Sequence, residues 1–255
     1  MFLLKLLLTP LFIFVVTIIG RRWGTLISGW LVGLPLTSAP VTFFLALEQG
    51  TTFASRAAQG TMTGTISVAA FCLAYSWLSL RLNWLSCLLL SWAVFFTSTF
   101  VLEQFSLSLL ISFIGVLLVL SIVLAALPRD RKPGPIATPP HWEILARVLV
   151  ATLFVLVLTG SAALLGPRLS GLLTPFPLFA SIVGAFTHSF QGSIAVRRVL
   201  RGVIAGSLAF AVFFLIISAL IAIMGIAAAF ALAILAAIVM QAISLWLLRR
   251  YGTVT

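Results

Sequence analysis

The sequence predicts an all-α integral membrane protein of about nine transmembrane helices, a 4+1+4 inverted-topology repeat in which helices 2 and 7 are broken by proline. Three observations predict it: a composition too apolar for water, nine apolar runs of spanning length, and a gapless internal repeat that sets 28–65 on 170–207. Of 255 residues, 62% are hydrophobic and 7% charged, with mean hydropathy +1.28. Soluble domains carry about 25% charged residues, so a water-soluble core is excluded. In lipid every backbone polar group must be satisfied internally, which leaves helix bundles or closed barrels. The runs are long and do not alternate, as helices require.

The runs cover about 2–19, 25–47, 57–79, 83–102, 106–127, 142–165, 168–189, 199–220 and 224–247. Spacers are short except "PRDRKPGPIATPPH", residues 128–141, whose five prolines make it a semi-rigid extended connector. Nine crossings put Lys5, Arg56 and Arg168 on the N-terminal side and the other 12 of the 15 basic residues on the opposite side. Missing or inventing one span would largely erase that bias. By the positive-inside rule the N-terminus lies outside and the C-terminus is cytoplasmic, in a bacterial inner membrane. The net charge of +11 is scattered singly and in pairs between apolar spans, so nucleic acid is excluded as a partner. The first run is too long for a typical signal peptide and lacks an A-x-A site.

When 28–65 is laid on 170–207, 12 of 38 positions are identical. The matches include Ser28-Gly29 with Ser170-Gly171, Pro35-Leu36 with Pro177-Leu178, Gln49-Gly50 with Gln191-Gly192, and Arg56 with Arg198. Gly60 and Gly64 meet Gly202 and Gly206, small-xxx-small pairs expected to pack helices closely. Thr17 meets Thr159, so the first run opens repeat one and is expected to be retained. Residues 1–105 hold four spans, 106–141 one linking span plus the Pro-rich cytoplasmic loop, and 142–255 four more. One odd span between two four-span units inverts the second. Secondary transporters share this architecture, with sites near the midplane on interrupted helices of the two halves.

"SGLLTPFPLFASI" at 170–182, with Gly192 and "AVR" at 195–197, resembles the pattern of the small GlpM-like bacterial membrane proteins. "LEQG" at 47–50 is similar to its acidic-x-Gly end. The resemblance covers one stretch of each half and implies a fused pair of such four-span units. Repeat one departs from it, with Leu34-Pro35-Leu36-Thr37 in place of the aromatic positions.

Proline removes a backbone donor and interrupts a helix, and interrupted backbone at membrane depth needs a cavity or surrounding protein. Carbonyls around Gly33, Pro35, Pro40, Pro175 and Pro177 are therefore expected either to face a solute or water between spans 2 and 7, or to belong to kinks that serve packing. Of four acids, Glu48 ends the first broken helix; it either couples protons or gates, or pairs with Arg56 across a short turn, or is a plain interfacial residue. Glu103 and Glu143 read as helix-end residues and Asp130 as a solvated linker residue. Gln49 and Gln191 are matched polar ends of the two broken helices, expected as gates on opposite faces or as helix-end caps. His188 reads as a proton relay or a structural histidine. Cys72 and Cys87 lie within spans and lack metal-ligand spacing.

No nucleophile–base set, metal cluster or phosphate loop is present, so neither an enzyme nor a cofactor is expected. The expected function is a secondary carrier or exporter of a small neutral, amphipathic or anionic solute. The alternatives are a channel or lipid flippase on the same scaffold, or a non-transporting scaffold or assembly subunit. The lipid bilayer and an unknown small solute are the expected partners, with a homo-dimer left open.

Overall fold

The computed structural model describes residues 2–105, 107–128, 140, 142–154, 156–157 and 176–251. These described residues form helices and contain no strand. In chain order the helices are α1 (Phe2–Trp23), α2 (Thr25–Val32), α3 (Ser38–Gln49), α4 (Thr51–Leu78), α5 (Trp84–Leu102) and α6 (Leu109–Ala126). A helical stretch at 142–154 follows, called α7, and then α8 (Leu178–Tyr251). Among the described residues four helices are long and apolar enough to cross a membrane: Thr51–Leu78, Trp84–Leu102, Leu109–Ala126 and Leu178–Leu248.

The last of these spans 71 residues, about 107 Å as one straight helix. It is not straight. Gly192 (φ 83, ψ −179) and Gly225 (φ 79, ψ 171) leave helical geometry and divide it into α8a (178–191), α8b (193–224) and α8c (226–251). A Cβ at Gly184 would lie 3.7 Å from Val196 and 4.0 Å from Leu200, whereas residues 184 and 200 of an unbroken helix stand about 24 Å apart. The Phe213 and Phe230 rings are 5.9 Å apart across the second joint. The chain therefore doubles back at each glycine. Positive φ with extended ψ is open essentially to glycine alone, so these joints need no loop but admit no other residue without strain.

Gly24 (φ 94, ψ 163) and Gly50 (φ 85, ψ 167) make the same joint between α1 and α2 and between α3 and α4. Gly50 and Gly192 are in register in the internal repeat and share one backbone conformation. A second correspondence is a hydrogen bond. Ala39 N donates to Pro35 O at 2.8 Å, and Ser181 N donates to Pro177 O at 2.8 Å. Each proline thus opens the second part of its segment. Pro40 is the third residue of α3, where a missing N–H costs no intrahelical bond.

The core lies where α8b meets α4 and α2, with α5 and α6 against α4. The buried stripe of α6 is Ser112, Val116, Leu120 and Val123, and Leu110, Ile114, Leu118 and Ile122 on its other side are exposed. Leu235, Ile238 and Val239 of α8c are exposed as well. Such outer surfaces are costly in water and are compatible with a hydrocarbon surround.

Candidate functional site

A cavity of about 960 Å³ lies beside the first broken helix. Gly33, Leu34, Thr37, Ser38 and Thr42 line it from the break and α3; Arg56, Gly60, Thr61 and Gly64 from α4; and Phe176, Pro177 and Leu178 from the start of α8a. The two proline segments therefore converge on one space. Phe176 is fixed there by stacking on Phe154 and by edge contacts with Phe95, centroids 5.3 and 5.7 Å away. Trp92 Nε1 donates to Ser181 Oγ at 2.9 Å, one turn further on.

The lining is rich in hydroxyls and poor in charge. Among the described residues Arg56 and Glu103 are its ionisable side chains, and both are exposed. Thr42, Thr61, Thr63 and Ser207 return their hydroxyl protons to carbonyls one turn back. The hydroxyls of Thr65, Ser67 and Thr99 are buried and have no partner. A buried polar group without a partner costs on the order of 1–3 kcal/mol, so these three favour any water or solute that can hydrogen-bond to them.

Opposite the cavity-lining helix α4, the face of α8b is sealed. A Cβ at Gly29 would stand 1.8 Å from Val199 O, one at Gly202 2.1 Å from Leu26 O, and one at Gly206 2.2 Å from Trp30 O. Backbone touches backbone here, as Gly-xxx-Gly pairs on both α2 and α8b permit. Trp30 secures the crossing: its Nε1 donates to Ser244 Oγ and its carbonyl accepts from Gln241 Nε2, both at 3.0 Å. Gly60, the α4 counterpart of Gly202, behaves differently, because a Cβ there would meet nothing within 4 Å. The expectation of close packing at Gly60 is therefore corrected: Gly60 faces the cavity.

A polar cluster lies among the end of α1, the start of α7 and α8a. Glu143 is fully buried. One of its carboxylate oxygens accepts from Arg147 Nε at 2.9 Å and from Arg147 Nη2, and the other accepts from Arg21 Nη2 at 3.1 Å. Arg21 Nη2 also donates to Pro140 O at 2.7 Å, and Arg147 Nη2 to Thr187 Oγ1 at 3.3 Å. Thr25, Ser28, Thr187 and Gln191 help line a void of about 10 Å³ beside these charges, room for about one water.

No family model, curated protein or solved structure matches this chain.

The remaining sequence-derived residues divide. Gly33 and Pro177 line the cavity. Pro35 is buried, Pro40 sits in the first turn of α3, and Pro175 lies outside the described residues. The carbonyls of Pro35 and Pro177 are not free for a solute, because each accepts a helix-opening amide. Glu48 and Gln49 are exposed at the end of α3. Arg56 lies beyond the Gly50 turn, inside α4, but makes no ion pair with Glu48: the pairs among the described residues are Arg21–Glu143 and Arg147–Glu143. Gln191 lines the charged void, not the large cavity. His188 Nδ1 lies 3.3 Å from Tyr75 Oη, a local contact within the bundle. Glu143 does stand near a helix start, but it is the hub of the charged cluster as well. Its pairing with Arg147 at i+4 was the available sequence signal, while Arg21 stands 122 residues away.

Proposed function

We propose that the chain is a secondary carrier of a small solute, working by alternating access between two inverted four-span repeats in a bacterial inner membrane. The observation that carries this reading is the cavity on which Gly33–Thr37 and Phe176–Leu178 converge. Its volume falls within the range of about 300–1,000 Å³ usual for small-molecule sites. The matched joints at Gly50 and Gly192 and the matched bonds at Pro35 and Pro177 support the repeat, and with it a kinship of each half to GlpM-like units.

Nine spans are supported by contacts. Residues that the charge count assigns to the cytoplasmic side touch one another: Arg21 with Pro140 and Glu143, Arg197 with Ser79, and Arg201 with Leu127 and Pro128. Residues assigned to the outer side do likewise, Gln59 with Leu107 and Ser55 with Ser218. On this reading the cavity is the outward vestibule, and its hydroxyl lining, with no interior charge among the described residues, suits an uncharged, hydroxylated solute.

Purified protein in liposomes, offered radiolabelled glycerol, a pentitol, a hexose, succinate and phosphate in turn, tests the proposal. Saturable uptake of a neutral member, blocked by modifying Thr37→Cys, is expected. Non-saturating flux would indicate a channel. No flux of any probe, with Thr37→Cys readily modified, would favour the scaffold.

A further inference from the structure

We propose that Glu143, held between Arg21 and Arg147, is the latch that closes the cytoplasmic end of the transport pathway; this rests on the carrier reading above. The two ends of the molecule differ. One opens into about 960 Å³, whereas the end at Arg21 and Glu143 holds a void of about 10 Å³. What fills that second end is charge. Glu143 is 0% and Arg147 3% exposed, in a chain with four acids in all. Buried ion pairs contribute little net stability compared with apolar packing, so their placement across three elements points to a switching role.

The bonds divide into those that travel together and those that must break. Glu143 and Arg147 sit one turn apart on α7 and move as a unit. The ties from that unit to its neighbours are Arg21 to Glu143, Arg21 to the Pro140 carbonyl, and Arg147 to Thr187 on α8a. Arg21 is the releasable arm. Its side chain is 22% exposed, so its guanidinium reaches water without crossing the interior, and its Nε is already without a partner. When it swings out, α1 with the start of α2 separates from α7 and α8a. Thr25, Ser28 and Gln191, which now close round the void, then line an inward opening. Gln191 thus acts at the cytoplasmic end, and the carboxylate that matters for gating is Glu143, not Glu48.

The test uses the full chain in oriented vesicles with Cys72 and Cys87, both buried, replaced by alanine. Single cysteines Ser28→Cys and Thr37→Cys report the two ends through a membrane-impermeant maleimide. Glu143→Gln and, separately, Arg21→Gln, which leaves the Glu143–Arg147 pair neutral and in place, break the latch. Cytoplasmic labelling of Ser28→Cys should rise by at least about tenfold, a shift of ~1.4 kcal/mol in the closed-to-open equilibrium. Outer labelling of Thr37→Cys should fall. Unchanged Ser28→Cys labelling in both variants overturns the latch, as does a rise at both positions, which marks a loosened fold. Failure of both variants to fold also counts against it, because a latch mutant must keep a folded, inward-open state. Labelling as expected without flux of any solute leaves the latch standing and removes the carrier; flux in the parent without a labelling response does the reverse.

Discussion

Gly202 and Gly60 occupy equivalent places in the two repeats, yet alanine should separate them sharply. At Gly202 the new methyl would lie 2.1 Å from Leu26 O, 2.6 Å from Trp30 N and 3.0 Å from Gly29 C. All three are backbone atoms of α2, so no side-chain rotation relieves the clash. Ordinary contact begins at 3.4 Å, so α2 would have to retreat by more than an ångström. A gap of half to one ångström already forfeits a quarter to a half of each dispersion contact, and overpacking of this kind costs about 1–3 kcal/mol. The retreat also stretches the Gln241-to-Trp30 bond, worth about 1 kcal/mol. Gly202→Ala is therefore expected to lose ~2–4 kcal/mol. Gly60→Ala meets nothing and gains up to about 1 kcal/mol of helix propensity. The assay is reversible unfolding in mixed micelles followed by fluorescence of the seven tryptophans. Equal shifts for the two variants would refute the backbone crossing of α2 and α8b.

The joints offer a second test: Gly50→Ala and Gly192→Ala should each cost roughly 1–3 kcal/mol in the same unfolding assay, because both hold a positive φ with extended ψ. Thr65→Val and Thr99→Val remove hydroxyls that have no partner, so stability should hold to within about 1 kcal/mol or rise, while uptake of a hydroxylated solute into liposomes should fall. Topology is checked by reporters: a C-terminal fusion should be active in the cytoplasm and an N-terminal one outside, and a cytoplasmic N-terminus would contradict the nine-span count.

Much of the fold was legible because lipid imposes simple rules. Run length located the helices to within a few residues at most ends: α5 begins at Trp84 where hydropathy placed its run at about 83, and α6 ends at Ala126 against about 127. The larger departures are α8b, which begins at 193 against about 199, and α4, which begins at Thr51, well before the apolar run that starts at about 57. Hydropathy misses the start of α4 because Thr51, Thr52, Ser55 and Arg56 are polar. What permits it is Gly50, which turns the chain in one residue and spares a loop. The proline pattern pointed to the segments that line the cavity. Of its two readings, carbonyls facing a solute or kinks that serve packing, the carbonyls of Pro35 and Pro177 do not fit the first, since each accepts the amide of the helix it opens.

The two features that escaped sequence reasoning have one physical origin. Repeat symmetry assigns equal roles to equal residues, so Gly60 inherits the packing role of Gly202, and Gln49 that of Gln191. On the carrier proposal there is no such equality at rest, because one end of the pathway is closed while the other is open. The asymmetry has to be built from residues that the repeat does not duplicate. Position 163, the counterpart of Arg21, is alanine, and position 1, the counterpart of Glu143, is methionine. Arg147 alone has a basic counterpart, Lys5. The unduplicated pair is the one that bridges α1 and α7, while of the duplicated glycines Gly202 is packed against backbone and Gly60 is open. Exchanging the pair, Arg21→Glu with Glu143→Arg, keeps the bridge but sets a second guanidinium beside that of Arg147. It should therefore raise cytoplasmic labelling of Ser28→Cys as Arg21→Gln does. Adding Arg147→Glu, which reverses all three charges and restores attraction throughout, should bring it back down. If the triple exchange labels like the double, attraction among these three side chains is not what holds the closed end shut.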